Sequence, residues 1–332
     1  MKTVRLHASG DLRLNDEPVP TPAKGEALLR VTAVGVCGSD LHWFSESGIG
    51  DARLEQPLVL GHEFAAVRMD DGQRVAVDPA IPCGDCDLCR AGHPNLCPQV
   101  CFAGHGRLDG ALREQMTWPA SLLYPLPDTL SDADGALLEP LGVALHAVDL
   151  GHLRLGTRVG VFGCGPIGLL IIQLARLAGA AQIIATDPLP YRLEAARSFG
   201  ATHAILADNG LEAPEVWETT ARRGVEVAFE AAGENAAVET AVHAAKPGGE
   251  LVLVGIPTDD RTSFSATAAR RKGLTLRLCR RMKHTYPRAI ALVEQSRVDV
   301  HSLVTHRFPL EQAQRAFEVA ARRQGLKVIL EI

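Results

Sequence analysis

The sequence predicts an α/β chain carrying a second, β-rich domain, and three observations predict it. Arg158 to Phe162 reads as a short buried strand, followed by G-x-G-x-x-G as Gly163, Gly165 and Gly168, then an apolar helical pattern from Leu169 to Leu177 ending near Gly179. From there to about Arg280, strands alternate with helices, the pattern of a parallel sheet covered on both faces. On either side the chain reads differently, so residues 143–280 are expected as a doubly wound domain inserted into a unit formed by residues 1–142 and 281–332.

Each glycine of the central motif has a physical task in a dinucleotide site. Gly163 permits the tight turn, Gly165 lets backbone approach a pyrophosphate, and Gly168 lets helix and strand pack closely. Pro166 suits the first helical turn, where no backbone donor is needed. The free N–H groups there attract phosphate. A second strand, Gln182 to Thr186, ends at Asp187, about twenty residues after the last glycine, where the ribose-binding acid is expected. Its carboxylate favours NAD, because it would repel a 2′-phosphate.

Further along, a helix over Tyr191 to Ser198 ends at Gly200, and strands are expected at His203 to Leu206 and Val225 to Glu230. A helix over Asn235 to Ala245 is closed by Pro247, Gly248 and Gly249, and strands follow at Leu251 to Val254 and Leu274 to Leu278. Past Arg280 come two amphipathic helices, Pro287 to Gln295 and Leu310 to Ala321, and a closing strand from Lys327. At the other end, Ala27 to Val34 alternates as a strand. Residues 102–126 read as loop plus strand. Pro140 and Gly142 break the periodicity, so a helix is expected to begin at Val143, where the chain enters the inserted domain.

The chain has 332 residues, 46% of them apolar, enough for two cores. Net charge is −5 with no long single-sign run, which argues against nucleic-acid or anionic-membrane partners. No apolar run reaches spanning length and Met1 opens no signal peptide, so a cytoplasmic protein is expected. The eight cysteines are clustered in a large chain, which points to metal rather than to disulfides.

Cys83, Cys86, Cys89 and Cys97 follow C-x2-C-x2-C-x7-C. Four thiolates with no spare position make a closed tetrahedral site of the structural zinc type. An iron–sulfur cluster is the competing reading. The lobe is polar and poor in large apolar residues, so zinc would replace the core it lacks. Its balance of acid and base speaks against a zinc-stapled nucleic-acid module. Separately, Cys37 lies on a sharp glycine-flanked turn, and His62 and Glu63 follow Gly61. Thiolate, imidazole and carboxylate are all competent zinc ligands.

The order of these motifs resembles the zinc-dependent medium-chain dehydrogenases over essentially the whole chain, and within them the sorbitol (L-iditol) dehydrogenase branch with its sugar-acid relatives such as L-idonate 5-dehydrogenase. The shared phrases are GVCGSDLH (Gly35 to His42), Gly61-His62-Glu63, the four-cysteine lobe, LEPLG (Leu138 to Gly142), Gly165-Pro166-Ile167-Gly168 and LVTHRFPL (Leu303 to Leu310). The resemblance implies a GroES-like β-barrel domain split by a Rossmann domain, a homo-oligomer (dimer or tetramer), and one catalytic and one structural zinc per chain. It puts the catalytic zinc on Cys37, His62 and Glu63. Glu139 would hold the zinc-bound water and the substrate, and Ser39 and His42 would lie on the proton-exit path. Ile167, Asp187, Arg192, Val254, Gly255, Ile256, Cys279 and Arg280 match cofactor contacts.

Three departures fall on the substrate side: Trp43 where tyrosine is common, Arg281 beside Arg280 in place of Arg-Tyr, and the segment Gly104 to Asp109. Ser39, Trp43, Glu139, Arg280 and Arg281 are expected to line one polar cleft. The resemblance therefore implies hydride transfer from a secondary hydroxyl of a polyol to NAD, giving a ketose. A sugar acid gripped by the two arginines is the alternative. An NAD-binding, zinc-stapled scaffold without catalysis is the reading if Cys37 holds no metal.

Overall fold

The computed structural model describes residues 1–208 and 211–332. The chain divides into two units, Met1–Pro140 with Lys283–Ile332, and Leu141–Met282.

The first unit is built on a seven-stranded, mostly antiparallel sheet. Its longest strand, Glu26–Gly35, pairs along one side with Glu63–Arg68. Gln115–Pro119 pairs with its first half and Lys327–Glu331 with its last. Arg74–Val77 and Leu123–Pro125 extend the sheet at one end and Val304–Pro309 at the other, where the pairing with Lys327–Glu331 is parallel. Alternation in the long strand puts Leu29 and Val31 into the core and leaves Arg30 exposed. That core gathers Trp43, Phe44, Phe64, Trp118 and Phe317.

The second unit holds six parallel strands in the order His203–Leu206, Gln182–Asp187, Arg158–Phe162, Val225–Glu230, Ala245–Leu253, Thr275–Leu278. This is the doubly wound order with its switch point between Arg158–Phe162 and Val225–Glu230, and ligands of such sheets bind beyond the carboxyl ends of the strands there. Strands buried on both faces read as near-continuous apolar runs, as Ile183, Ile184 and Ala185 do.

Two sequence expectations are corrected. Pro140 and Gly142 do not break the chain: one helix, Asp132–Leu150, runs through both. Ser131 and Asp134 start it by reciprocal capping, with Asp134 N donating to Ser131 Oγ at 3.1 Å and Ser131 N to Asp134 Oδ2 at 2.9 Å. Proline removes one ladder bond. Full burial of Leu137, Leu138 and Leu141 outweighs that loss. Likewise Pro247 to Gly249 do not sit between helix and strand, because Ala245–Leu253 runs through them. Three short helices, Gly38–Glu46, Ala213–Thr219 and Ala266–Lys272, lie in stretches without a readable helical period.

Candidate functional site

Cys37 is the N-cap of helix Gly38–Glu46 rather than a free turn. Asp40, three residues on, accepts the Cys37 backbone N–H through Oδ2 at 3.0 Å. Its other oxygen accepts from Gly61 N at 3.2 Å and lies 3.3 Å from His62 Nδ1. Asp40 is 1% exposed. One buried carboxylate thus fixes the cysteine's backbone and orients the imidazole, so that Nε2 is the nitrogen that could ligate a metal, as in carboxylate–histidine pairs behind metal ions.

Glu63 opens strand Glu63–Arg68 opposite Gly35. A Cβ at position 35 would lie 2.2 Å from Glu63 Oε2, so only glycine admits the carboxylate there. Lys327 reaches it from 264 positions away in sequence: Nζ donates to Glu63 Oε1 at 2.8 Å and Oε2 at 2.6 Å, and to Val36 O at 3.0 Å. Burial works against the ammonium charge, but Glu63 and Cys37 outweigh it and hold the lysine above its ordinary range.

One ligand atom each from Cys37, His62 and Glu63 lie within 4.8 Å of one another. Soft, borderline and hard donors at that spacing suit zinc, and three protein ligands leave a position open. Glu139 is buried in the same unit, on helix Asp132–Leu150, outside that set of three. Burial pushes its carboxyl up to about 7, Glu63 adds to the rise, and His62 and Lys327 oppose it.

The expected proton-path residues sit on the same short helix. Ser39 Oγ is 3.4 Å from His62 Nε2, and His42 Nδ1 is 3.5 Å from Glu46. Trp43 is 1% exposed and packs in the core, meeting the His105 ring edge-on at 5.4 Å.

The sulfur atoms of Cys83, Cys86, Cys89 and Cys97 also fall within 4.8 Å of one another. A tetrahedral zinc with Zn–S bonds of about 2.3 Å needs sulfurs about 3.8 Å apart. The Cys83–Cys97 and Cys83–Cys89 separations are 3.5 and 4.0 Å. Backbone N–H groups of Cys86, Cys89 and Cys83 donate to the sulfurs of Cys83, Cys86 and Cys97, each at 3.4 Å. Such bonds favour thiolates, and the one from Cys83 draws the Cys97 thiol down to about 7, whereas hydrogen bonding to Asp85 pushes Cys83 up and burial raises Cys89. Around them Leu88 and Leu96 are exposed, so the lobe has almost no apolar core.

In the second unit, Gly163 turns with φ +101° and donates to Thr186 O at 2.8 Å. A Cβ at Gly168 would stand 1.9 Å from Gly163 O, so helix Pro166–Leu177, capped by Gly165, can meet the strand only there. Asp187 is 3% exposed; its Oδ2 accepts from Cys164 N at 2.8 Å and its Oδ1 from Leu189 N at 2.9 Å. Arg192 approaches Oδ2 at 3.8 Å. Gly255 is packed against Gly233, and Ile256 is half exposed. Cys279 Sγ points to the carbonyls of Arg281 and Val143. Arg280 is exposed, and Arg281 is half-buried with φ +51°.

Asp40 and Lys327 escaped the sequence reading. Asp40 left a local trace, since an acid three residues after an N-cap is the capping-box spacing. Lys327 left none. Lys327→Met would strand a buried carboxylate. In zinc-stripped protein it should cost about 3–5 kcal/mol. Urea unfolding of stripped and zinc-loaded protein should show that loss shrinking when the dication faces Glu63. Equal stability of Lys327→Met and wild type without metal would refute the pairing.

Among the described residues no helix is long and apolar enough to cross a membrane. A family model described as an alcohol dehydrogenase GroES-like domain matches residues 23–128, and one described as a zinc-binding dehydrogenase matches residues 166–295. The chain is 37% identical over 339 residues to a sorbitol dehydrogenase of Gallus gallus, covering 99% of this chain and 95% of the relative. It is 36% identical over 341 residues to that of Bacillus subtilis (strain 168), covering 99% and 97%. The structure of L-idonate 5-dehydrogenase from Escherichia coli str. K-12 substr. MG1655 superposes with TM-score 0.92 at 26% identity, covering 100% of this chain and 98% of that one. With its GroES-like domain, its Rossmann-type parallel sheet and two donor sets that fit zinc, the chain belongs to the zinc-dependent medium-chain dehydrogenases, NAD-linked oxidoreductases of polyols and alcohols.

Proposed function

We propose that this chain oxidises a secondary hydroxyl of a neutral polyol with NAD⁺, giving a ketose, NADH and a proton. The observation that carries the reading is the open Cys37–His62–Glu63 donor set backed by a buried fourth acid, Glu139. Full-length similarity to sorbitol dehydrogenases supports the polyol class. Cytoplasmic residence and assembly as a dimer or tetramer belong to the same reading.

Cys37, His62 and Glu63 would hold the catalytic zinc. When bound, it supplies Lewis acidity, which makes a hydroxyl far more acidic at neutral pH. Asp40 keeps the proton of His62 on Nδ1, so that Nε2 presents its lone pair. Lys327 balances the charge of Glu63 and aims it. Glu139, whose carboxyl burial pushes upward, would accept hydrogen bonds from water or a substrate hydroxyl and could hold a proton in exchange. Ser39 Oγ would relay the leaving proton, and His42, with a side chain 16% exposed, would hand it to solvent.

The cofactor accepts the hydride, and the protein fixes where it lies. Gly163 to Gly168 would cradle the pyrophosphate. Each oxygen of Asp187 already accepts one backbone N–H, so the carboxylate is held still with lone pairs left for the ribose hydroxyls. A buried anion in that place would repel a 2′-phosphate. Arg192, Val254, Gly255, Ile256, Cys279 and Arg280 complete the proposed cofactor contacts.

A second reading has its own support: Arg280 and Arg281 are adjacent, and guanidinium groups grip carboxylates bidentately. That would suit a sugar acid, and L-idonate 5-dehydrogenase is among the structural relatives. One panel tests both readings, with kcat/KM for sorbitol, xylitol, L-idonate and ethanol measured with NAD⁺ and NADP⁺. A polyol with NAD⁺ should lead, and ethanol should fall behind by roughly 10⁴-fold, because sites built to bind hydroxyls reject analogues lacking them. Ethanol as the best substrate, or equal use of NADP⁺, would overturn the reading. A preference for L-idonate that vanishes in Arg281→Ala would establish the sugar acid instead.

A further inference from the structure

We propose that Glu230 is a positioning residue for the cofactor, holding together the loops at the switch point of the parallel sheet. The inference rests on the NAD site proposed above. Glu230 is the last residue of strand Val225–Glu230, beside Arg158–Phe162 at that switch point, and is 1% exposed. Its Oε1 accepts two backbone N–H groups, from Ala232 and from Gly233, each at 2.7 Å. Its own carbonyl accepts from Val254 N at 2.8 Å and Gly255 N at 3.1 Å. One residue therefore binds the loop after its own strand and the loop after the next.

The packing shows why these bonds matter. A Cβ at Gly255 would lie 2.1 Å from Gly233 N and 2.8 Å from Glu230 Oε2. A Cβ at Gly233 would lie 2.5 Å from Ile256 O, and one at Gly163 would lie 2.7 Å from Ala232 N. Three strand ends thus meet backbone to backbone with no side chain between them, and the first glycine of the dinucleotide loop rests on the segment that Glu230 holds. The carboxylate is suited to this place because it only accepts. A glutamine could keep one oxygen on Ala232 and Gly233, but its NH2 would then point at the N–H of Gly255, donor against donor. A buried carboxylate with no bonding duty would not be tolerated there.

Glu230→Gln tests this directly. NADH titration by fluorescence and the thermal shift on adding NADH read the cofactor site, while steady-state kinetics separate KM from kcat. We expect the Kd for NADH and the KM for NAD⁺ to rise tenfold or more. The substrate KM and the zinc content should be unchanged, kcat should stay within about threefold, and the melting temperature without cofactor should fall by a few degrees, because a buried donor is left unpaired. A folded Glu230→Gln protein with wild-type NADH affinity overturns the inference. Should that variant not fold, amide hydrogen exchange on the wild type decides. Ala232 and Gly233 amides should be protected without cofactor, and protection of residues 254–256 should rise when NADH binds. Rapid exchange at Ala232 and Gly233 would overturn it. Wild-type protein that does not bind NADH would overturn the proposed function together with it.

Discussion

Cys37→Ala and His62→Ala are each expected to remove one of two zincs per chain and to lower kcat by roughly 10³-fold or more. Lewis-acid activation is worth several kcal/mol, and each 1.36 kcal/mol is tenfold in rate. NADH binding should survive, because Gly163 to Gly168 and Asp187 belong to the other unit. Metal analysis beside NADH titration checks both statements. Two zincs per chain in Cys37→Ala, or turnover near wild type, would remove this cysteine from the mechanism. Glu139→Gln in the same assay should keep most of the zinc and slow turnover. Zinc loss as large as that of Cys37→Ala would make Glu139 a direct ligand.

The second large effect concerns the four-cysteine lobe. Cys86→Ser should remove the other zinc and unfold residues 83–97 locally. Leu88 and Leu96 are exposed and little but Asn95 and Cys97 is buried, so metal binding supplies the folding energy, on the order of ten kcal/mol in comparable small sites. Cys86 also accepts the Cys89 N–H as the N-cap of helix Asp87–Arg90, so the serine loses the ligand while keeping a cap. Limited proteolysis should cut the lobe in the variant and not in the wild type. A variant that resists protease and still carries two zincs would show that the lobe holds its shape by other means.

Much of this protein is legible because the relevant interactions are short in sequence. The four lobe cysteines fall within fifteen positions, and their spacing alone lets the thiolates converge. Gly163, Gly165 and Gly168 declare themselves because each backbone constraint is local, and Asp187 follows from the length of one helix and one strand. Helix Asp132–Leu150 is not legible across Pro140 for the converse reason. Local propensity argued for a break, and burial of the surrounding leucines overrode it.

Taken alone, then, the sequence determined the two donor sets, the glycine-rich turn at Gly163 to Gly168, and the interruption of a β-rich unit by a doubly wound one. Only the tertiary structure decided what holds those groups in place. Lys327 meets Glu63 because strand Lys327–Glu331 pairs with Glu26–Gly35 beside Glu63–Arg68. Glu230 binds Ala232 and Gly233 against Gly255 because its strand lies between two neighbours in the sheet. Both are charged residues at strand ends, which a sequence presents as solvated. Only strand pairing over long separations removes them from water, and a charge so buried persists where fixed partners meet it.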